Sequence, residues 1–210
     1  MSDFLHDDAG MASIRTLIGI AQTGLTYSKD PYDIERYHQL LKTAQTLLAK
    51  QPNHLTTQLM ENLVADTGYA TPKMDIRAAV FDGERILLVK EIEDGLWSLP
   101  GGWADINHSP GEVAAKEVFE ESGLRVRPRK LVAFTDRRLH PHPPMLLHVY
   151  KAFFLCELLG GKLRPSLETP DARFFDEHHL PELSTARVTH EQIAMMYQHL
   201  RNETLPTYFD

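Results

Sequence analysis

The sequence predicts an α+β fold in which a small all-helical N-terminal domain precedes a domain built on a mixed β-sheet. Two observations predict it. Apolar residues recur at helical spacing through residues 12–66, and from residue 74 onward they form short runs typical of strands. The period changes near residues 69–73, so we expect domains at 1–70 and 71–210.

The N-terminal region carries the signals of three helices. Asp30 followed by Pro31 is typical of a helix start, because Asp caps the first turn and Pro is tolerated at the first helical position. Residues 51–53 interrupt the apolar period before a third helix with leucines on one face at 55–63. A module of about 55 residues has too little interior to bury so many apolar positions alone. We therefore expect it to pack on the other domain or on a second subunit, and predict a homodimer.

The second domain mixes strands and helices. Residues 74–81 and 85–90 are apolar runs separated by Asp82-Gly83-Glu84, which predicts a β-hairpin. The remaining expected elements are a helix at about 110–122, strands near 124–136, 146–158 and 172–176, a turn at Gly160-Gly161, and a closing helix over 186–202. The inner face of the closing helix should carry Val188, Ile193, Met196, Tyr197 and Leu200.

Composition and charge exclude several classes of function. The chain of 210 residues has 22 Lys and Arg against 29 Asp and Glu, a net charge of −7 that disfavours extended nucleic acid and anionic membranes as partners. No apolar run is long enough to span a bilayer, and the N-terminus lacks the order of a signal peptide. We therefore expect a cytoplasmic protein without membrane association. Cys156, in an apolar run, is expected to be a buried core thiol.

Residues 99–124 carry the motif that points to chemistry. The segment begins with Leu99-Pro100-Gly101-Gly102-Trp103. Ser109, Pro110 and Glu112 then have the form of a helix N-cap, a first-turn proline and a capping box. Gly123 suits a left-handed C-terminal cap. The helix is thus bounded on both sides by its own sequence.

Within this helix Glu117, Glu120 and Glu121 stand at i, i+3 and i+4, which places three carboxylates on one face. The placement is unfavourable, because the carboxylates repel one another and meet the negative end of the helix dipole. A divalent cation bound there would make both of these interactions favourable. Ligation by oxygen alone favours Mg²⁺ or Mn²⁺ over zinc. A solvated acidic face is the alternative. The diglycine upstream favours the metal site.

This stretch resembles the Nudix box. The family pattern is a Gly, five residues, a Glu, seven residues, and then Arg-Glu-hydrophobic-x-Glu-Glu-x-Gly-hydrophobic, and the spacing agrees at every position from Gly102 to Leu124. His108 stands where the family has its first Glu, and Lys116 stands where it has Arg. These two positions support the loop and the helix in the family, so the departures concern loop geometry. The metal-binding positions are intact at Glu117, Glu120 and Glu121.

The resemblance extends over nearly the whole chain. Three further segments resemble the rest of a Nudix domain: residues 75–81, residues 97–100, and Glu168-Thr169 before residues 173–175. They imply a Nudix α/β/α sandwich. Residues 21–27 and 30–33 resemble the extra N-terminal domain of a bacterial subgroup that hydrolyses nucleoside diphosphates linked to another moiety. CDP-choline pyrophosphatase and ADP-ribose pyrophosphatase are the known activities of that subgroup.

The resemblance implies a metal-dependent pyrophosphohydrolase that converts such a small nucleotide to a nucleoside monophosphate and a phosphorylated remainder. Glu117, Glu120 and Glu121 would hold the ions, with the Gly101 backbone carbonyl as a further ligand. Bound ions would neutralise phosphate charge, orient the substrate and lower the pKa of a water. Glu120, Glu121 and Glu168 are the expected catalytic carboxylates. Glu168 would activate water or accept a bond from substrate, or else remain a solvated loop carboxylate.

Four residues are candidates for substrate binding. Arg77 would contact a phosphate through its planar donor fork, or remain an exposed arginine at a strand end. Gly102 allows the backbone to approach a phosphate closely, and Trp103 would stack on a base or pack into the core. Arg137 precedes the rigid proline-rich and histidine-rich segment 140–144, which would cover the substrate or form an ordinary surface loop.

A second hypothesis belongs to another class of protein, a non-catalytic module that senses a nucleotide and acts through a partner. This hypothesis is supported by His108 and Lys116, because departures from the family pattern at box positions can accompany the loss of activity. A sensor, however, has no need to retain three carboxylates that repel one another without metal. Action on RNA ends is also disfavoured, because it needs a basic path that the net charge does not suggest.

Overall fold

The N-terminal helices come first in the computed structural model, which describes residues 8–49 and 67–210. Helix α1 spans Asp8–Tyr27 and helix α2 spans Pro31–Leu48. The Asp30 carboxylate caps α2 by accepting the N–H groups of Tyr32 at 2.9 Å and Asp33 at 3.1 Å, which confirms the predicted helix start. The helix predicted around 55–63 lies outside the described residues. In the part of the chain that is described, no helix is long and apolar enough to cross a membrane.

The chain divides into two compact units. The first is the helical unit, which comprises the residues up to Pro72 together with Pro144–His148. The second comprises Lys73–Pro143 and Val149–Asp210. The strand predicted over 146–158 begins only at Val149, because Leu146 is buried in the apolar cluster of the helical unit instead. The buried members of that cluster are Ile14, Ile18, Ala21, Leu41, Ala44, Leu48 and Leu146.

Eight strands, counted over the described residues, form a mixed sheet in the second unit. They are β1 (Lys73–Asp82), β2 (Arg85–Lys90), β3 (Trp97–Ser98), β4 (Gly101–Trp103), β5 (Leu124–Asp136), β6 (Val149–Gly161), β7 (Asp171–Asp176) and β8 (Tyr208–Phe209). The order is β3-β2-β1-β6-β5-β8, with β4 paired to β1 and β7 paired to β2. The β1–β6 and β5–β8 pairs are parallel and the others antiparallel. The centre of the sheet is therefore β1 beside β6.

The predicted hairpin and the predicted core thiol of this unit are confirmed, and the predicted diglycine turn is not. The β1–β2 hairpin turns at Gly83 and Glu84, and Cys156 is buried, which raises the pKa of its thiol to about 12. The predicted turn at Gly160-Gly161 is wrong. Both glycines extend the end of β6 and pair with the start of β5, where the backbones approach so closely that a Cβ on Gly161 would lie 2.7 Å from the Gly123 carbonyl oxygen.

A helix covers each face of the sheet. Helix α3 (Pro110–Ser122) buries its apolar face on a cluster that includes Ala78, whereas α4 (His190–Arg201) packs on a cluster that includes Ala79. Neighbouring residues of β1 serve opposite faces because strand side chains alternate. This arrangement is the α/β/α sandwich that the resemblance implies. The closing helix begins at His190 rather than at 186.

Candidate active site

Helix α3 carries the three carboxylates and is bounded as the sequence predicts. The Ser109 Oγ accepts the Glu112 N–H at 3.3 Å, and the Glu112 carboxylate accepts the Ser109 N–H at 2.8 Å, which completes a capping box. Gly123 ends the helix in the left-handed conformation and donates to the Phe119 carbonyl at 2.9 Å. Both ends of the helix are therefore held by local bonds.

The Glu121 carboxylate is buried and points back to the diglycine loop. Its side chain accepts the Gly101 backbone N–H at 2.9 Å. Burial raises the pKa of Glu121 to about 8, and the Glu91 and Glu117 carboxylates add to the rise, although Arg77 and the Gly101 N–H oppose it. Without a metal ion this carboxyl group is mostly protonated at pH 7.

The diglycine loop passes directly over this carboxylate because β4 pairs with β1. Gly101 lies opposite Arg77 with φ of +145°, and a Cβ atom there would collide with the Ile76 carbonyl oxygen. A Cβ on Gly102 would stand 3.4 Å from the Glu117 carboxylate oxygens. Glycine at 101 is therefore a steric requirement, and the Gly102 backbone runs beside Glu117.

Glu117 and Glu120 differ in their surroundings. Burial raises the pKa of the half-buried Glu117, with Glu120 adding to the rise and Lys116 opposing it. Glu120 is exposed, and its carboxylate accepts from the Lys116 ammonium at 2.8 Å. The same ammonium lies 3.1 Å from an Asp105 oxygen and 3.9 Å from Glu117. Lys116, in the arginine position of the box, thus partly neutralises the acidic face.

The donor set on this face fits a hard divalent cation. Carboxylate and carbonyl oxygens are the ligands that Mg²⁺ and Mn²⁺ prefer, and Glu117 and Glu121 both have pKa values raised by burial that a cation would lower. Across residues 8–49 and 67–210, no three His, Cys, Asp or Glu side chains converge closely enough to bind a metal as they stand. Glu120 would exchange its bond to Lys116 for the ion.

Arg77 is buried beneath the loop rather than exposed at a strand end. Its Nε donates to the Asp75 carboxylate at 2.9 Å and its Nη1 donates to the Leu99 carbonyl at 3.1 Å. Burial alone would lower the pKa of Arg77, but Asp75, Glu121 and Glu91 raise it above its ordinary value. The guanidinium therefore holds the backbone just before the diglycine, and its contact with substrate stays a prediction.

Arg137 is also buried, and its hydrogen bonds hold the segment 140–144 in place. Its guanidinium donates to the Pro143 carbonyl at 2.7 Å and to the Ala186 carbonyl at 3.4 Å. The His142 Nδ1 donates to the Thr185 carbonyl at 2.7 Å, and its Nε2 lies 3.0 Å from the Gln192 amide nitrogen. Burial lowers the pKa of His142 to about 4, so the ring is neutral and its Nε2 accepts from the amide. The contact of Arg137 with substrate stays a prediction.

Trp103 and Glu168 lie at the surface of the same unit. Trp103 is 50% exposed, so it does not pack into the core and its ring is accessible to a base. Glu168 is exposed on the loop between β6 and β7, where its carbonyl accepts the Ile92 N–H at 3.3 Å. The structure thus gathers Gly101, Gly102, Glu117 and Glu121 directly, with Glu120 beside them.

Sequence comparisons match both parts of the chain. The family model described as the NUDIX domain matches residues 71–197, which is more than half of the chain. The chain belongs to the Nudix family. A second family model, described as the UDP-X-like N-terminal oligomerisation domain, matches residues 10–63. The resemblance of residues 102–124 to the Nudix box is confirmed.

Similar proteins cover between two thirds and nearly all of the chain. YjhB of Bacillus subtilis (strain 168), provisionally named an ADP-ribose pyrophosphatase, is 43% identical over 191 residues, which are 91% of this chain and 92% of the relative. The crystal structure of an ADP-ribose pyrophosphatase from Streptococcus suis 89-1591 is 45% identical and covers 67% of this chain and 100% of its own, with a TM-score of 0.62. The crystal structure of a UDP-X diphosphatase is 33% identical over 97% of this chain and 99% of its own, with a TM-score of 0.63. The protein is a Nudix pyrophosphohydrolase, and a non-catalytic sensor is not favoured.

Several buried ionic residues of the Nudix unit were not predicted from the sequence. Lys151 is fully buried and pairs with Asp75, and burial lowers its pKa to about 8. Burial would raise the pKa of Asp75, but Arg77 and Lys151 hold it below its usual value. Glu91 accepts from the Ser98 hydroxyl and lies 4.0 Å from Arg77. The sequence does contain a sign of these residues, because charged residues within an apolar strand segment indicate buried charges that are paired with each other.

Proposed function

We propose that the protein hydrolyses the diphosphate bond of a nucleoside diphosphate linked to a second group, releasing a nucleoside monophosphate and the phosphorylated remainder. The observation that carries the proposal is the bond between Gly101 and Glu121, with Glu117 facing Gly102, because it assembles the box loop and the box carboxylates into one site. The relatives named for ADP-ribose and UDP-X support this substrate class, and CDP-choline is a further candidate.

The proposed cofactor is Mg²⁺ or Mn²⁺ held by Glu117, Glu120 and Glu121, with the Gly101 carbonyl as a further ligand. A bound divalent ion would neutralise phosphate charge and lower the pKa of an attacking water. Glu168 is the proposed base that takes the proton of that water, since it is an exposed carboxylate on a loop bonded to the end of α3. Burial raises the pKa of Glu117 and of Glu121, and a divalent ion beside them would offset that cost by stabilising the charged carboxylates, which supports metal binding.

Substrate contacts follow from exposure and backbone geometry. Gly102 has no side chain to separate its backbone from a phosphate beside Glu117. The half-exposed Trp103 ring next to it offers a stacking surface for a base. Arg77 and Arg137 would act on phosphate oxygens by their positive charge, with their guanidinium groups kept in place by backbone carbonyls.

A substrate panel tests the proposal. ADP-ribose, UDP-glucose and CDP-choline are each incubated with the protein in Mg²⁺, in Mn²⁺ and in EDTA, and the products are identified by mass. We expect turnover of at least one compound with metal and none in EDTA, yielding a nucleoside monophosphate. Glu203→Gln, which removes an exposed carboxylate outside the box, serves as the matched control and should keep full activity. Folded wild-type protein without turnover of any compound would overturn the proposal, and tight binding without products would favour a sensor.

We also propose that the protein is a cytoplasmic homodimer assembled through the helical unit. The family model matched there is described as an oligomerisation domain, which supports the proposal. Ile20, Tyr27 and Tyr69 of this unit are 50%, 66% and 66% exposed, so they offer apolar surface to a second copy. Light scattering at micromolar concentration should give twice the chain mass, and a monomeric mass would contradict the dimer.

A further inference from the structure

The loop between β6 and β7 caps the C-terminal end of α3. The last four carbonyls of a helix have no donor within the helix, so they need partners from elsewhere. Gly123 donates to Phe119, and the Arg164 backbone N–H donates to the Ser122 carbonyl at 3.0 Å. The Thr169 hydroxyl donates to the Glu121 carbonyl at 2.7 Å. A residue of this loop is therefore bonded to the same residue whose carboxylate faces Gly101.

Thr169 also organises the turn that carries Glu168. Thr169 is completely buried, and its Oγ1 lies 2.8 Å from the Ser166 hydroxyl. The Ser166 oxygen accepts the N–H groups of Glu168 at 3.2 Å and Thr169 at 3.0 Å, while the Ser166 N–H donates to the Thr169 carbonyl at 2.9 Å. The single hydroxyl proton of Thr169 goes to Glu121, so the Ser166 hydroxyl must donate to Thr169.

We propose that Thr169 is a positioning residue, whose buried hydroxyl fixes Glu168 relative to the carboxylates of α3. The bonds form one chain from the Glu121 carbonyl through Thr169 and Ser166 to the Glu168 backbone. The inference rests on the proposed function, because Glu168 is the proposed base. The exposed Glu168 side chain takes its location from this backbone. A displacement of about 1 Å in a catalytic group can cost on the order of a hundredfold in rate.

A helix cap with no catalytic consequence is the competing explanation, and matched variants separate the two. Thr169→Val keeps the shape of the side chain and removes the hydroxyl, whereas Thr169→Ser keeps the hydroxyl. Thr207→Val is the control, because the Thr207 hydroxyl also donates to a backbone carbonyl, that of Leu131, at 2.7 Å. Thr169→Val should lower kcat by about tenfold to a hundredfold with KM nearly unchanged, while Thr169→Ser and Thr207→Val keep kcat near wild type.

A double-mutant cycle tests whether Thr169 acts through Glu168. In the Glu168→Gln background, Thr169→Val should cause no further loss of kcat, whereas independent effects that multiply would overturn the inference. Ser166→Ala, which interrupts the chain at its other end, should reproduce the loss even where the valine variant folds poorly. Hydrogen exchange of the Glu168 and Thr169 amides in metal-free protein should be faster in Thr169→Val and unchanged in Thr207→Val.

The outcomes distinguish this inference from the proposed function. Wild-type turnover with a fully active Glu168→Gln variant would overturn the inference and leave the hydrolase standing. Unchanged kcat in Thr169→Val would also overturn it, and faster amide exchange in the same variant would then show that Thr169 is only a helix cap. Absence of wild-type turnover across the substrate panel would overturn the proposed function, and the positioning role with it.

Discussion

The backbone N–H of Gly101 donates to the Glu121 carboxylate at 2.9 Å across 20 residues of sequence. Gly101 is at the same time paired with Arg77 of β1, whose guanidinium is bonded to the Leu99 carbonyl. The loop is thus held from the helix on one side and from the central strand on the other. The position of the box carboxylates relative to the diglycine follows from these bonds.

Gly101→Ala should destabilise the protein more than Gly83→Ala. Gly83 has φ of +62°, in the left-handed region that costs an alanine about 1–2 kcal/mol, and Gly101 has φ of +145°, which residues with a Cβ rarely adopt. Only at Gly101 would the new Cβ also collide with the Ile76 carbonyl, whereas the space around Gly83 is open. Denaturant unfolding of the two variants gives the comparison. Equal losses in the free energy of unfolding would show that β4 can move away from β1.

Glu121→Gln should change the pH dependence of stability in metal-free protein. The pKa of Glu121 is about 8 in the folded state against an ordinary 4.5, so the folded state holds the proton more firmly. Its stabilising contribution is therefore complete below pH 4.5 and is lost as the pH rises to about 8. The stability of the variant relative to wild type should increase across this window. Titrations of Lys151 and His142 occur in both proteins and cancel, so a constant difference in EDTA would contradict the prediction.

Glu120→Gln should affect the reaction and leave folding intact. Its carboxylate is exposed and bonded to Lys116, and such surface pairs are worth about 0–1 kcal/mol. Without metal, the free energy of unfolding of the Glu120→Gln variant should therefore lie within about 0.5 kcal/mol of the wild-type value. Turnover with Mg²⁺ should fall by at least about two orders of magnitude, because lost metal charge at the transition state costs several kcal/mol. A rate near wild type, or an unfolded apoprotein, would show that this face is structural.

Gly19→Ala and Gly24→Ala should have unequal effects on the helical unit, although both lie inside α1. Alanine favours a helix over glycine by about 1 kcal/mol. A Cβ at Gly19 makes an ordinary contact of 3.7 Å with Ala70, so that substitution should stabilise. A Cβ at Gly24 would overlap the Tyr37 ring of α2, so part or all of the gain should be lost. Thermal unfolding followed by circular dichroism ranks the two variants, and a higher Tm for Gly24→Ala would contradict the prediction.

Local features of the Nudix unit were predictable because they depend on neighbours three or four residues apart. The capping box joins Ser109 to Glu112, and the spacing of Glu117, Glu120 and Glu121 follows from the helical period. The β1–β2 hairpin depends on a short turn sequence in the same way. The sequence by itself therefore determined where α3 begins and ends and which side chains it presents at the site.

Tertiary structure decided the environment of those side chains, because the deciding contacts join distant positions. The buried partners Asp75 and Lys151 are 76 residues apart, and Thr169 reaches the Glu121 carbonyl across 48 residues. Leu146 likewise shares the apolar cluster of the helical unit with Ile14 and Leu41, which are distant from it in sequence. Periodicity and spacing describe one segment at a time. Burial, and with it the raised pKa of Glu121, arises only when β1, β4 and α3 are brought together.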